Sequence, residues 1–336
     1  MREFCCILLL SLSGLLNAQD ILLNQFMRCP TYTNPALTGT GKDTLGKPGA
    51  RLASLYRNQW SLPSSNPYRT NFLGYDQKVS DGFGSIGGYF IYDAAGKDGA
   101  FQTTQFNMTY SFAIPISRGR VGSLYGLSVG YKNLNVNYAK LKFEDQIDVT
   151  RGVVRKTDEF NRSANDGNFD VNAGFVFYNK RGYWGASFHN IARPRIQFVD
   201  YREEILKPRF SLILGNKWYS MDSNDRGGSY VQLTGGFFAQ ADQMQLNMSG
   251  YYHWDGIALG AGYRGNKSLQ YQSDALVLTC MLDVKNFNLY YGFEFTISKL
   301  SSVAPVSHEI GLQIPLSISP FYRERYRSNG FLQFPM

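Results

Sequence analysis

Four stretches of this chain alternate apolar and polar side chains with a period of two, over lengths that few folds accommodate. Between 101 and 114, Phe106, Met108, Tyr110, Phe112 and Ile114 fall on one side, and Gln105, Asn107, Thr109 and Ser111 on the other. Met244, Leu246, Met248, Tyr252 and Trp254 likewise oppose Gln243, Gln245, Asn247 and Ser249. The pattern returns at 169–178, where Val171, Ala173, Phe175 and Phe177 oppose Asp170 and Asn172. It returns again at 287–296, where Leu289, Tyr291, Phe293 and Phe295 oppose Asn288, Glu294 and Thr296. Successive residues of a strand point to opposite faces, so each stretch is a strand with one greasy and one polar side.

A soluble sandwich alternates in the same way. Three features favour a membrane barrel. The segments reach about 9–11 residues, the length a tilted strand needs to cross a bilayer. Aromatic residues such as Tyr131, Trp218, Tyr252 and Trp254 stand toward the ends of the apolar faces, as a girdle requires. The third feature is loop asymmetry. About fourteen strands are predicted, near 50–60, 68–78, 83–93, 101–115, 122–133, 169–178, 182–190, 209–219, 230–239, 243–254, 257–264, 275–284, 287–296 and 308–318. Tight turns at 179–181, 255–256 and 285–286 follow even-numbered strands. The long connections 134–168, 191–208, 265–274 and 297–307 follow odd-numbered ones. Bacterial barrels place short turns in the periplasm and long loops outside, and an even strand count returns both ends of the barrel to one side. The fold expected is therefore an all-β transmembrane barrel of the outer-membrane type, spanning 50–318, with periplasmic termini.

The N-terminus fits export. Arg2 precedes an apolar run at 5–12, and a small residue, Ala18, stands before a polar segment, so 1–18 reads as a cleavable signal peptide. That run is too short to span a bilayer, which takes roughly 20 residues. Cys29 and Cys280 remain in the mature chain; a buried or lipid-facing Cys280 is preferred to a bridge between them. The net charge of +8 suits anionic lipid or acidic partners. No RNA-binding signature or basic helical stripe accompanies it, so nucleic acid is not an expected partner.

Outside the strands lie an N-terminal arm, 19–49, and a basic, aromatic C-terminal tail, 319–336. The tail reads as a periplasmic contact or as a disordered end. In the arm, Pro35 fixes its own φ and biases Asn34 away from helix, while Gly39 permits a tight turn. The arm thus reads as ordered, non-helical and periplasmic. Arg57 and Trp60, on the first strand, are placed to dock it against the barrel; a lumen Arg and a girdle Trp are the plainer alternative.

Three motifs in order, Asn34-Pro35-Ala36 with Gly39, then Arg57-x-Gln59-Trp60, then a closing "SHEIGLQIPL" with His308 and Glu309, resemble the PorP/SprF family. These are membrane proteins of the type IX secretion and gliding-motility machinery. The resemblance spans nearly the whole mature chain; the tail after Ser319 departs from it. It implies an outer-membrane barrel working with periplasmic secretion-complex proteins and outer-membrane lipid, and aiding export or anchoring of a large secreted adhesin. A diffusion porin or small-solute transporter is the alternative, because a lumen of this size holds either water or side chains.

Catalysis is not expected. A Ser/His hydrolase needs its His oriented by a third group. Of His189, His253 and His308, His189 has Ser187 two residues away on one strand without an oriented triad, His253 sits at the barrel rim, and His308 belongs to the closing-strand motif. There is no nucleophile elbow, no phosphate-binding loop and no metal-ligand spacing, so neither cofactor nor metal is expected.

Overall fold

Lipid outside and polar groups inside can both be satisfied along one strand only if every ladder hydrogen bond closes on a neighbour. The computed structural model does this with a closed antiparallel barrel. It describes residues 20–42, 49–62, 68–80, 82–116, 121–141, 147–148, 152–153, 163–199, 202–219, 229–267, 272–284, 286–298, 301 and 305–317. The strands are β1 (Ala50–Leu62), β2 (Tyr68–Ser80), β3 (Gly84–Ala95), β4 (Phe101–Ile116), β5 (Val121–Asn137), β6 (Ile147–Asp148), β7 (Gly152–Val153), β8 (Ser163–Tyr178), β9 (Gly182–His189), β10 (Arg195–Val199), β11 (Arg202–Ile205), β12 (Arg209–Tyr219), β13 (Tyr230–Gln240), β14 (Gln243–Trp254), β15 (Ile257–Lys267), β16 (Gln272–Val284), β17 (Phe287–Thr296) and β18 (Val306–Leu316). Fourteen of them form the barrel, in chain order and closed by the pairing of β1 with β18. The other four make two small hairpins, β6–β7 and β10–β11, within the two longest connections.

The alternation sorts side chains as the sequence predicts. On β4, Met108 is 61% exposed on the outer surface, while its neighbour Asn107 is fully buried. Outward Tyr131, Trp218, Tyr252 and Trp254 stand exposed as expected, the last two stacked at 5.7 Å. No described helix is long and apolar enough to cross a membrane.

Two details differ from expectation. β5 runs to Asn137 and β8 begins at Ser163, so both strands continue well into the polar stretch taken for a loop. Backbone pairing carries them on after the apolar face ends. The end bearing the long connections also has one tight turn, Ala241–Asp242, between β13 and β14. Residues 1–18, expected to be a signal peptide, and the tail 319–336 lie outside the described residues.

The wall is built with a repeated device. Four inward tyrosines each lie across a glycine directly opposite on the next strand: Tyr178 on Gly122, Tyr183 on Gly215, Tyr251 on Gly260 and Tyr290 on Gly311. A Cβ at Gly311 would stand 1.9 Å from the Tyr290 ring, and one at Gly260 2.3 Å from Tyr251. The glycines let large rings lie flat against the wall and leave the centre of the lumen free for something else.

Candidate functional site

The centre of the lumen holds the chain's own N-terminal segment. Asp20 sits at the end bearing the long connections, where it meets Lys132, Asn190, Arg209 and Gln240. Gly41 lies at the tight-turn end, bonded through Gly49 to Lys78 on β2. Between them the segment 20–42 crosses the barrel from one mouth to the other. The expected periplasmic arm therefore runs, over its described part, through the barrel and not beside it. The described ends of the chain, Asp20 and Ser317, lie at opposite mouths. The composition of the segment explains its position: Asn24, Gln25, Thr31, Thr33, Asn34 and Thr38 are all buried, and a polar lumen supplies their hydrogen-bond partners.

Its local structure is also more helical than expected. Phe26–Arg28 and Pro35–Leu37 are single 3-10 turns, and Pro30–Thr33 is one α-helical turn. Asn34 is extended, as the following proline demands, but Pro35 itself opens a turn: its missing N–H costs nothing at a first helical position. Asn34 caps that turn by accepting from the Ala36 amide at 2.9 Å.

The Asn-Pro-Ala motif lies directly on the wall. The Asn34 amide donates to the carbonyls of Phe175 and Ala186, at 3.2 and 3.1 Å. Beneath it, Gly126 on β5 and Gly174 on β8 face each other in register. A Cβ on Gly126 would stand 2.3 Å from the Ala36 nitrogen, and one on Gly174 2.1 Å from Asn34 Oδ1. Gly39, at φ +75°, reverses the chain and donates its N–H to Asp76 Oδ2 at 2.7 Å. Asp76 is at the same time gripped by Arg51 through two hydrogen bonds of 3.0 and 2.9 Å.

Arg57 and Glu309 come together at a buried charge cluster. Glu309 accepts the backbone N–H groups of Asn24 and Gln25, at 3.2 and 2.8 Å. Arg57 donates to the Leu22 carbonyl and reaches Glu294 at 3.3 Å. Glu294 also accepts from both terminal guanidinium nitrogens of Arg264, and from the Asn24 amide at 2.5 Å. Two arginines are thus matched by two carboxylates, and both carboxylates hold the segment. The remaining motif residues stand elsewhere. Gln59 pairs with Ser307 and Tyr68 near the strand end. Trp60 packs edge-on against Tyr68 at a bulge, and His308 bonds the Tyr291 hydroxyl at 2.7 Å on the outward face.

A second cluster anchors the other end. Asp20 bonds Lys132 at 2.6 Å and lies 3.6 Å from Arg209. Burial pushes its carboxyl up, but the Lys132 and Arg209 charges outweigh this and hold it well below the usual carboxylate range. Ser187 and His189 do come within 3.1 Å of each other, but the Ser187 hydroxyl donates to the Thr33 carbonyl and the imidazole lies 3.2 Å from that same oxygen. They clamp the segment. Cys29 lies in the lumen and Cys280 on the outer surface, so the two are unbridged with the wall between them.

All fourteen barrel strands touch the segment. Besides those already named, Tyr89 of β3 meets Tyr32, Thr109 of β4 bonds Thr38, and Phe238 of β13 meets Phe26. Asn247 of β14 bonds the Leu23 carbonyl and Thr279 of β16 bonds Gln25. Sequence reasoning missed Asp20, Lys132, Arg209, Arg264 and Glu294. The one signal for them was a charged side chain on the inward side of an otherwise neutral strand, as at Glu294. At the tight-turn mouth a cavity of about 300 Å³ remains, lined by Arg28, Lys42, Lys217, Tyr230 and His253 among others.

Solved structures of similar shape are bacterial barrels. Omp33 of Acinetobacter baumannii is 5% identical over 83% of this chain and 100% of its own, with a TM-score of 0.45. The toluene transporter TodX of P. putida is 9% identical over 85% of this chain and 93% of its own, with a TM-score of 0.47. No curated protein matches the sequence. A family does: residues 15–314 match the type IX secretion system membrane protein PorP/SprF. The match contains the first two motifs and the third as far as Ile314, each motif supplies a fastening of the luminal segment, and the chain belongs to this family.

Proposed function

We propose that this chain is a docking component of the type IX secretion and gliding machinery, seated in the outer membrane. It supports export or surface anchoring of a secreted adhesin by holding periplasmic and secreted partners, not by passing solutes. The observation that carries this reading is the luminal segment, which occupies the path a diffusing solute would take and is fastened to every strand of the wall. In this reading the tight-turn end faces the periplasm, and the C-terminal tail leaves the barrel there to reach a partner. No catalytic step is assigned, because the Ser187–His189 pair is bound to the segment's backbone.

The test is a mild-detergent pull-down of tagged protein from native outer membranes, with mass spectrometry of what accompanies it. Secretion-machine components or a large adhesin are expected in the eluate. Deleting 321–336 should leave the barrel's heat-modifiable migration unchanged and reduce that recovery. Recovery of the barrel alone would overturn the docking reading in favour of a porin or transporter.

A further inference from the structure

The buried cations of this lumen are paired with carboxylates, with Lys217 the exception among the described residues. Arg57 and Arg264 meet Glu294 and Glu309, Lys132 and Arg209 meet Asp20, and Arg51 meets Asp76. At the tight-turn mouth the pattern breaks. The Lys217 ammonium rests over the Tyr230 ring at 4.7 Å, and the Arg28 guanidinium over Tyr290 at 5.4 Å and against the Met281 sulfur at 2.6 Å. Neither has a carboxylate within ion-pair distance among the described residues. Lys217 is only 8% exposed. Aromatic faces and a thioether are weak substitutes for a counter-ion at a desolvated cation. Both cations line the same cavity of about 300 Å³, together with Lys42 and with one acid, Asp283, which lies 3.9 Å from His253. The volume suits a small ligand or a few side chains. Gln232, Thr234 and Asn288 add neutral hydrogen-bonding groups to its wall.

We propose that this cavity is a carboxylate-binding site, and that its ligand is an acidic peptide segment of a partner protein entering from the tight-turn side. A carboxylate there supplies the counter-ion that the other buried cations of the lumen already have. The ring beneath Lys217 holds the ammonium toward the cavity, so little ordering remains for the ligand to impose. That the source is a partner protein rests on the docking function proposed above; the anion site itself does not.

The test uses the full chain, purified and folded in detergent, and a fluorescein-labelled tetraglutamate peptide followed by anisotropy. Tetraglutamine is the neutral control and inorganic phosphate the competitor. Wild type should bind tetraglutamate and not tetraglutamine. Lys217→Met should weaken binding by about tenfold or more, the loss of one charge-assisted contact, whereas Lys217→Arg should largely keep it. Lys180→Gln with Arg181→Gln, which removes charge from the exposed 179–181 turn, should change nothing. Because Lys217→Met is made at a buried position, a second measurement needs no variant: carbodiimide coupling of the bound peptide should link it to Lys217, read by mass spectrometry. Absence of binding by wild type, equal loss from the exposed-turn variant, or coupling that avoids Lys217 would overturn the site. Displacement by phosphate at or below the peptide's own concentration would mark the ligand as a free anion and overturn the peptide assignment. If the peptide binds but the pull-down recovers the barrel alone, the docking function fails and the site stands.

Discussion

Glu294 is 1% exposed, and two arginines and the Asn24 amide all converge on it. Removing one member of a buried ion cluster leaves the others charged and unpaired, which costs about 3–5 kcal/mol. Glu294→Ala should therefore lower the barrel's resistance to urea by roughly that amount, and a loss under 1 kcal/mol would show that water reaches the cluster. Motif membership does not predict such weight. Asn34, Arg57 and Glu309 lie among the segment's fastenings, whereas Trp60 and His308 serve the strand end and the outer face. Distinguishing these roles needs the inward or outward sense of each position, and Glu309 and His308 are neighbours with opposite senses.

At the scale of elements, the Asp20 anchor is pH-dependent with a definite sign. Its native pKa is depressed by Lys132 and Arg209, so its contribution is fully present above the unfolded value of about 4 and fades as pH falls below it. Wild type should exceed Asp20→Asn in urea resistance at pH 5, and the gap should shrink by about 1.4 kcal/mol per unit below pH 4. A gap constant between pH 5 and pH 3 would place the carboxylate in solvent. The tyrosine-on-glycine pairs make a sharper steric prediction. Gly311→Val puts a side chain where the buried Tyr290 ring lies and should lower the yield of heat-modifiable barrel, while Gly82→Val, with open space around it, should not. Equal yields would show that the wall gives way at that pair. The strands were legible in the sequence because lipid forces one face to be apolar for about ten residues at a time. The luminal segment was not, because its threonines, asparagines and glutamine suit a periplasmic loop as well as a polar lumen. Only the partners on fourteen strands decide between them, and those partners are scattered from residue 51 to residue 313.

For the whole molecule the segment decides whether the barrel is a channel. Fourteen strands enclose a lumen wide enough for water, and transmembrane barrels of this kind conduct when nothing stands inside. Here the interior carries a chain crossing from mouth to mouth, held by buried ion pairs at Asp20 and Glu309 and by the glycine platform under Asn34. Wild-type protein in planar bilayers should therefore show no steady conductance. The platform gives a way to release the plug without touching a charged group. At Gly174→Val the new side chain projects into the place of the Asn34 amide, and the Asn-Pro-Ala turn loses its seat on the wall. This variant should still migrate as a folded barrel, because the outer strands and the ladder are unchanged, and should show flickering current as the middle of the segment leaves the wall. Combining it with Asp20→Asn frees one end as well and should lengthen the open intervals. Steady conductance by wild type would mean that water passes around the segment and would restore the porin reading. Silence from the double variant, with folding intact, would mean that the wall residues close the lumen without it.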